Sequence, residues 1–267
     1  MTAPFTFMPG NGPLVISAPH AGTHVPPALA SRMTANGRAL ADTDWNIDRL
    51  YAFARELDAS LLVATHTRYV IDLNRAPDGK ALYPGQRNTG LCPAETFDDA
   101  PIWLDGEAPA QIEIDARRAE IWQPYHDCIA AALSAAKKHH GYALLWDAHS
   151  IRGHVPALFP GRLPDFNIGT NDGATCPDDI ARELAALAGE AGYTAIVNGR
   201  FKGGYITRHY GRPDAGIFAI QLELVQETYM EETPPWQFDA PKAAHVAGVI
   251  ARLVRHYLAA AAGQLAK

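Results

Sequence analysis

At 267 residues, 48% hydrophobic and 19% charged, the chain has enough apolar side chains for one sizeable core and too few charges for long disordered stretches. Its 23 basic and 29 acidic residues give a mildly acidic surface with no Lys/Arg block, which argues against a sequence-independent grip on nucleic acid. No segment approaches the ~18 uninterrupted apolar residues of a membrane span, and the N-terminus MTAPFTFMPGNGP lacks the basic start and apolar run of a signal peptide.

Leu14 to Ser17 reads as a short strand that stops at Ala18-Pro19-His20-Ala21-Gly22. Proline and glycine make a tight loop there and leave His20 at the strand's end, with His24 close behind; both are candidate metal ligands. The run DTDWNIDRLYAFARELDA predicts a helix over about 44 to 58. Asp42 or Thr43 suits its N-cap, acidic residues fill its first turn, and Trp45, Leu50, Ala54 and Leu57 fall near helical spacing. Capping accounts for at least two of Asp42, Asp44 and Asp48, and leaves one to point into a site.

Leu61 to Ala64 and Thr67 to Leu73 read as consecutive strands, the second rich in β-branched and aromatic residues. It ends in Asp72-Leu73-Asn74-Arg75, where an arginine fork suits a carboxylate ligand, a structural pairing with Asp72 being the alternative. Residues 76 to 106 are rich in Pro, Gly, Asn and Asp and have little periodicity, which fits a functional loop in which Arg87 and Asn88 are candidates to reach a substrate, solvated loop residues being the plainer reading. A long helical pattern follows from about Ala110 to His140, with Pro124 placed to kink or divide it.

The stretch ALLWDAHSI, Ala143 to Ile151, is a buried strand whose apolar run gives way to Asp147, His149 and Ser150. In open α/β sheets that carboxyl end is where ligands bind. After a loop over 152 to 163 come a short strand at Phe166 to Gly169, an amphipathic helix at Pro177 to Ala191 and a strand at Tyr193 to Val197. The glycine-rich basic segment 198 to 216 carries Arg200, Lys202, Arg208, His209 and Arg212 but no phosphate-binding glycine pattern, which suits a loop closing over an anionic substrate. In the last strand, Gly216 to Leu224, Gln221 and Glu223 face one side, and a buried glutamate is rare unless paired or used, so Glu223 is the general-base candidate. A helix from about 240 to 262 closes the chain.

These elements predict a single domain over 1–267, an α/β fold with a three-layer αβα sandwich around a mixed, mostly parallel sheet. Two histidines and an aspartate at element ends would supply three ligands to zinc and leave the fourth position a hydrolytic site requires. The dispersed cysteines Cys92, Cys128 and Cys176 form no metal or disulfide framework and make a reducing cytoplasm the expected setting.

The segments SAPHAGTHVP, DTDWNIDRLY, YVIDLNRAPDG, WDAHS, FKGGYITRHYG and AIQLELVQETY occur in the order found in the N-formylglutamate amidohydrolase (deformylase) family, which the chain resembles over nearly its whole length. The wider fold relatives of that family are the zinc carboxypeptidases. The resemblance implies Zn²⁺ as cofactor, His20 as first ligand and His149 as last, Asn74 and Arg75 as the pair gripping the substrate's α-carboxylate, and Glu223 as general acid/base. Thr23 stands where carboxypeptidases place a ligating glutamate, so the second ligand comes from elsewhere; Asp44 is the choice, with Asp42 and Asp48 as alternatives. The implied reaction is hydrolysis of N-formyl-L-glutamate to formate and L-glutamate, a step of histidine degradation, with Arg75 on one substrate carboxylate and Arg208 on the other. The rival readings are an amidohydrolase for a different N-acyl amino acid or peptide, and a non-catalytic carboxylate binder.

Overall fold

The computed structural model, which describes residues 2–80 and 89–265, lays seven strands in one sheet. They are β1 (Phe5–Met8), β2 (Leu14–Ala18), β3 (Ser60–Ala64), β4 (Ala143–Ile151), β5 (Phe166–Gly169), β6 (Ala195–Val197) and β7 (Ile217–Val225). Their order is β1-β3-β2-β4-β7-β5-β6. The three pairings from β3 to β7 and the β5–β6 pairing are parallel, whereas β7–β5 is antiparallel, as is β1–β3 at the edge. The sheet is thus mixed and mostly parallel.

Helices cover both faces: α1 (Pro27–Ala30), α2 (Ala35–Arg38), α3 (Ile47–Leu50), α4 (Gln111–Arg117), α5 (Gln123–His140), α6 (Asp178–Glu190), α7 (Tyr205–Tyr210) and α8 (Ala240–Leu265). Because strand side chains alternate between faces, Leu14, Ile16, Leu144 and Trp146 join one core with Ile180 and Leu184 of α6 and Val246 and Ile250 of α8. Their neighbours Val15, Ala143 and Leu145 join a second core with Tyr125, Ile129 and Leu133 of α5. Each fully buried aliphatic side chain contributes roughly 1.5–3 kcal/mol, so both faces of the sheet bind their helices. Among the described residues no helix is long and apolar enough to cross a membrane.

Three expectations change. Thr67 to Leu73 forms turns, not a strand. The free edge of β3 is taken by β1, which pairs Phe5 with Ala64 and Met8 with Leu61, so no neighbour remains for another strand there. Val70, Ile71 and Leu73 bury beneath α5 instead. The carbonyls of Val70, Leu73 and Arg75 find side-chain donors on the covering helices: Arg117 Nη1 at 3.0 Å, His126 Nε2 at 2.9 Å and Trp122 Nε1 at 3.0 Å.

The continuous helix over 44 to 58 is replaced by α3 and a 3₁₀ turn, Ala52–Leu57. Asn46 is left-handed at φ 57°, which breaks helical geometry just after Asp44, and the Asp44 amide donates to the His20 carbonyl at 3.1 Å. The 198–216 segment is also more ordered than a loop, for it contains α7. The expected division near Pro124 occurs as a π-helical turn, Arg118–Trp122, between α4 and α5. Arg87 and Asn88 lie outside the described residues.

Candidate metal centre and active site

Parallel pairing sets the site's frame. β4 and β7 run in register with His149 opposite Glu223, and β2 ends two residues before His20, so all three side chains sit at the carboxyl ends of adjacent strands. The hydrogen bond from the Asp44 amide to the His20 carbonyl then carries the Asp44 carboxylate into the same crevice.

His20, Asp44 and His149 are all buried, and each offers a ligand atom within 4.8 Å of the others'. The two rings point Nδ1 inward, 3.1 Å apart, and Asp44 Oδ2 lies 3.2 Å from His149 Nδ1 and 3.8 Å from His20 Nδ1. Each outward Nε2 is held by a carboxylate: Asp72 Oδ1 at 2.6 Å from His20 and Asp147 Oδ2 at 3.1 Å from His149. A ring that donates its outer N–H to a carboxylate presents a basic lone pair at the other nitrogen, which is how metal-ligating histidines are set. Two imidazoles and one carboxylate are a donor set suited to zinc, so the residues fit a metal. Asp42 is tied elsewhere, accepting from the Tyr69 hydroxyl at 2.7 Å and the Phe97 amide at 2.8 Å; Asp48 and Thr23 are exposed, and the His24 ring packs on His66.

Burial and the Arg68 guanidinium lower His20 to about 4, so its ring is neutral and donates Nε2–H to an ionised Asp72. Burial alone would raise Asp72, but the His20 ring and the Arg75 and Arg68 guanidiniums hold it well below the usual carboxylate range. Burial likewise opposes charge on His149, yet Asp147 and Asp44 hold that ring well above an ordinary histidine. Burial pushes Glu223 up to about 7, with His149 opposing and the carboxylates of Asp44 and Asp147 assisting. A carboxyl that exchanges its proton near neutrality suits general acid/base work.

The remaining expected residues border this centre. The Asn74 amide reaches Asp147 and His149, at 3.4 and 3.0 Å from Nδ2, while its Oδ1 accepts from the Ile206 amide of α7 at 2.8 Å. Arg75 is partly exposed, with Nη1 3.8 Å from Asp72 Oδ2 and Nη2 donating to Thr89 Oγ1 at 3.2 Å. Arg208 lies on α7, where its Nε donates to the Gly203 carbonyl at 2.8 Å.

Four participants have no site role assigned from sequence, where Asp147 and Gln221 stand near strand ends, Asp72 is a partner for Arg75 and Arg68 is passed over. Arg68 is buried with Nη2 against His20 Nδ1 and 3.2 Å from Asp44 Oδ1. Asp72 and Asp147 orient the two histidines. Gln221 donates to Glu223 Oε2 at 3.1 Å and accepts from the Gly204 amide at 2.6 Å. The signal for Gln221 was its i, i+2 spacing to Glu223. Arg68 gave none, because its segment reads as a strand.

Comparison with known proteins shows which family the chain resembles. A sequence profile described as N-formylglutamate amidohydrolase matches residues 12–230. The chain is 51% identical over 255 residues to the N-formylglutamate deformylase of Pseudomonas aeruginosa, covering 95% of this chain and 96% of that protein. The N-formylglutamate deformylase of Pseudomonas putida is 48% identical, with 95% of each chain covered. Among solved structures, the N-formylglutamate amidohydrolase of Ralstonia eutropha superposes with a TM-score of 0.82 at 27% identity, over 96% of this chain and 98% of that one. A gene product of Agrobacterium tumefaciens shares the fold at a TM-score of 0.72 and 19% identity, over 100% of this chain and 97% of its own.

Proposed function

This chain belongs to the N-formylglutamate amidohydrolase family, and from that premise we propose that it is a metal-dependent deformylase that hydrolyses N-formyl-L-glutamate to formate and L-glutamate. The observation that carries the metal-dependent part is the convergence of His20 Nδ1, His149 Nδ1 and an Asp44 oxygen, each histidine backed by its own carboxylate. Zinc held by those three residues would supply Lewis acidity, lowering the pKa of water and polarising the formyl carbonyl.

The chain's own residues do the rest. Glu223 takes the proton of the attacking water and returns it to the departing amine nitrogen, a role consistent with a carboxyl raised to about 7. Arg68, buried beside His20 and Asp44, opposes the charge that develops on the formyl oxygen. Asn74 and Arg75 hold the α-carboxylate, and Arg208 meets the side-chain carboxylate. Three free thiols, none paired, support a reducing cytoplasm as the place of action.

The test is a panel of N-formyl, N-acetyl and N-succinyl amino acids assayed on the zinc-loaded protein. Release of formate from N-formyl-L-glutamate, with much slower turnover of the larger acyl groups, is the expected result. Preference for an acetyl or succinyl substrate would replace this reading with the neighbouring acylase one.

A further inference from the structure

The segment from Val70 to Arg75 carries three groups of the site or its border, Asp72, Asn74 and Arg75, yet among the described residues no sheet partner holds it. Its carbonyls are gripped by one helical rod. Arg117 at the end of α4 donates to Val70 O, Trp122 in the π turn donates to Arg75 O, and His126 on α5 donates to Leu73 O. All three side chains are buried. In an unbroken α-helix Arg117 and Trp122, five residues apart, would project about 140° from one another. The i→i+5 turn at Arg118–Trp122 takes up the extra residue and brings both to the same segment.

Trp122 and His126 are further locked together, their rings stacked with centroids 3.7 Å apart. Burial lowers His126 to about 3, so the ring is neutral and its Nε2–H is committed to Leu73. Its Nδ1 lies 3.0 Å from the Tyr210 hydroxyl of α7, the helix whose Ile206 amide holds Asn74 Oδ1. The contacts close a ring around the backbone of Asn74 and Arg75, through α5, the segment and α7.

We propose that Trp122 and His126, set by the π turn, are positioning residues that fix Asn74 and Arg75 for capture of the substrate carboxylate. This rests on the role of Arg75 proposed above. Trp122 holds the segment at Arg75, its outermost residue, so loss of that bond falls on substrate binding before the chemical step.

The variant to make is Trp122→Phe, which deletes the indole N–H and keeps an aromatic ring in the stack. Its KM for N-formyl-L-glutamate is expected to rise about five- to tenfold, the scale of one hydrogen bond, with kcat changed less than twofold and zinc content unchanged. In an Arg75→Ala background the same substitution is expected to leave KM where Arg75→Ala alone puts it. An unchanged KM in the single variant, or the same rise in both backgrounds, overturns the proposal. Amide hydrogen exchange across residues 73–75 reads the clamp without substrate. Exchange is expected to quicken in Trp122→Phe, and unchanged exchange overturns the proposal. If the wild-type chain released no formate from N-formyl-L-glutamate, the functional reading would fall, and the exchange measurement would still decide the clamp.

Discussion

Asp44, Asp72 and Glu223 share one crevice, and their neighbours give them different work. Asp72 is kept ionised by the His20 ring and two guanidiniums, so it orients a ligand. Asp44 faces both Nδ1 atoms and completes a cluster that could hold a metal ion. Glu223, buried and bonded to the Gln221 amide, is the carboxyl that burial leaves closest to neutrality. Replacing it by Gln removes the proton acceptor while leaving shape and ligands in place. Glu223→Gln is therefore expected to fold and to hold zinc, with kcat lowered roughly 10²-fold or more; turnover near the wild-type value would take Glu223 out of the mechanism. Arg75 is the complementary case, since its guanidinium is partly exposed at the rim and makes no contact with the three ligand atoms. Arg75→Ala is expected to raise KM for N-formyl-L-glutamate by about 10²-fold, the scale of a lost charge-assisted contact, with metal content unaltered. A normal KM would reassign the carboxylate site.

At the scale of elements, the site depends on α7 lying flush against the segment that bears Asn74. Gly204, just before α7, makes this approach possible: a Cβ there would come 2.2 Å from Asn74 Nδ2. The Asn74 amide cannot swing away at no cost, because its Oδ1 is held by the Ile206 amide and its Nδ2 by Asp147. Gly204→Ala is expected to displace the Asn74 side chain, raising KM severalfold and lowering stability by about 1–3 kcal/mol, as overpacking of a filled site does. Denaturant unfolding and steady-state kinetics read the two effects; a variant unchanged in both would mean that α7 can shift outward freely. The π turn between α4 and α5 is a second device of this kind, since it sets which side chains of a long helical rod reach the irregular segment beneath.

Across the whole molecule, the three candidate ligand residues come from the end of β2, the approach to α3 and the end of β4, so a metal bound by them would tie together parts of the chain far apart in sequence. Binding that occurs only in the folded state stabilises it, by about 2.7 kcal/mol when free metal stands at a hundred times its dissociation constant. Removing metal with a chelator is expected to abolish turnover and lower Tm, and zinc should restore both. Calorimetry with and without chelator checks this; an unaltered Tm together with full activity would remove the metal from the centre.

The sequence alone determined the elements whose signal is local. Near-continuous apolar runs through Leu14–Ala18, Ala143–Ile151 and Ile217–Val225 mark strands buried on both faces, and where such a strand ends in His or Glu the polar group must emerge at the sheet's edge. That logic reaches His20, His149 and Glu223 without coordinates. Only the tertiary structure decided which aspartate joins them, because Asp42, Asp44 and Asp48 share one short run and differ in what the fold sets opposite: Tyr69 and Phe97, the two imidazoles, and solvent. It also decided the state of the Thr67–Leu73 run, whose strand-forming residues find β3's edge already taken by β1 and pack under a helix instead. Local propensity fixes what a segment prefers; the contest for neighbours, settled by the whole chain, fixes what it becomes.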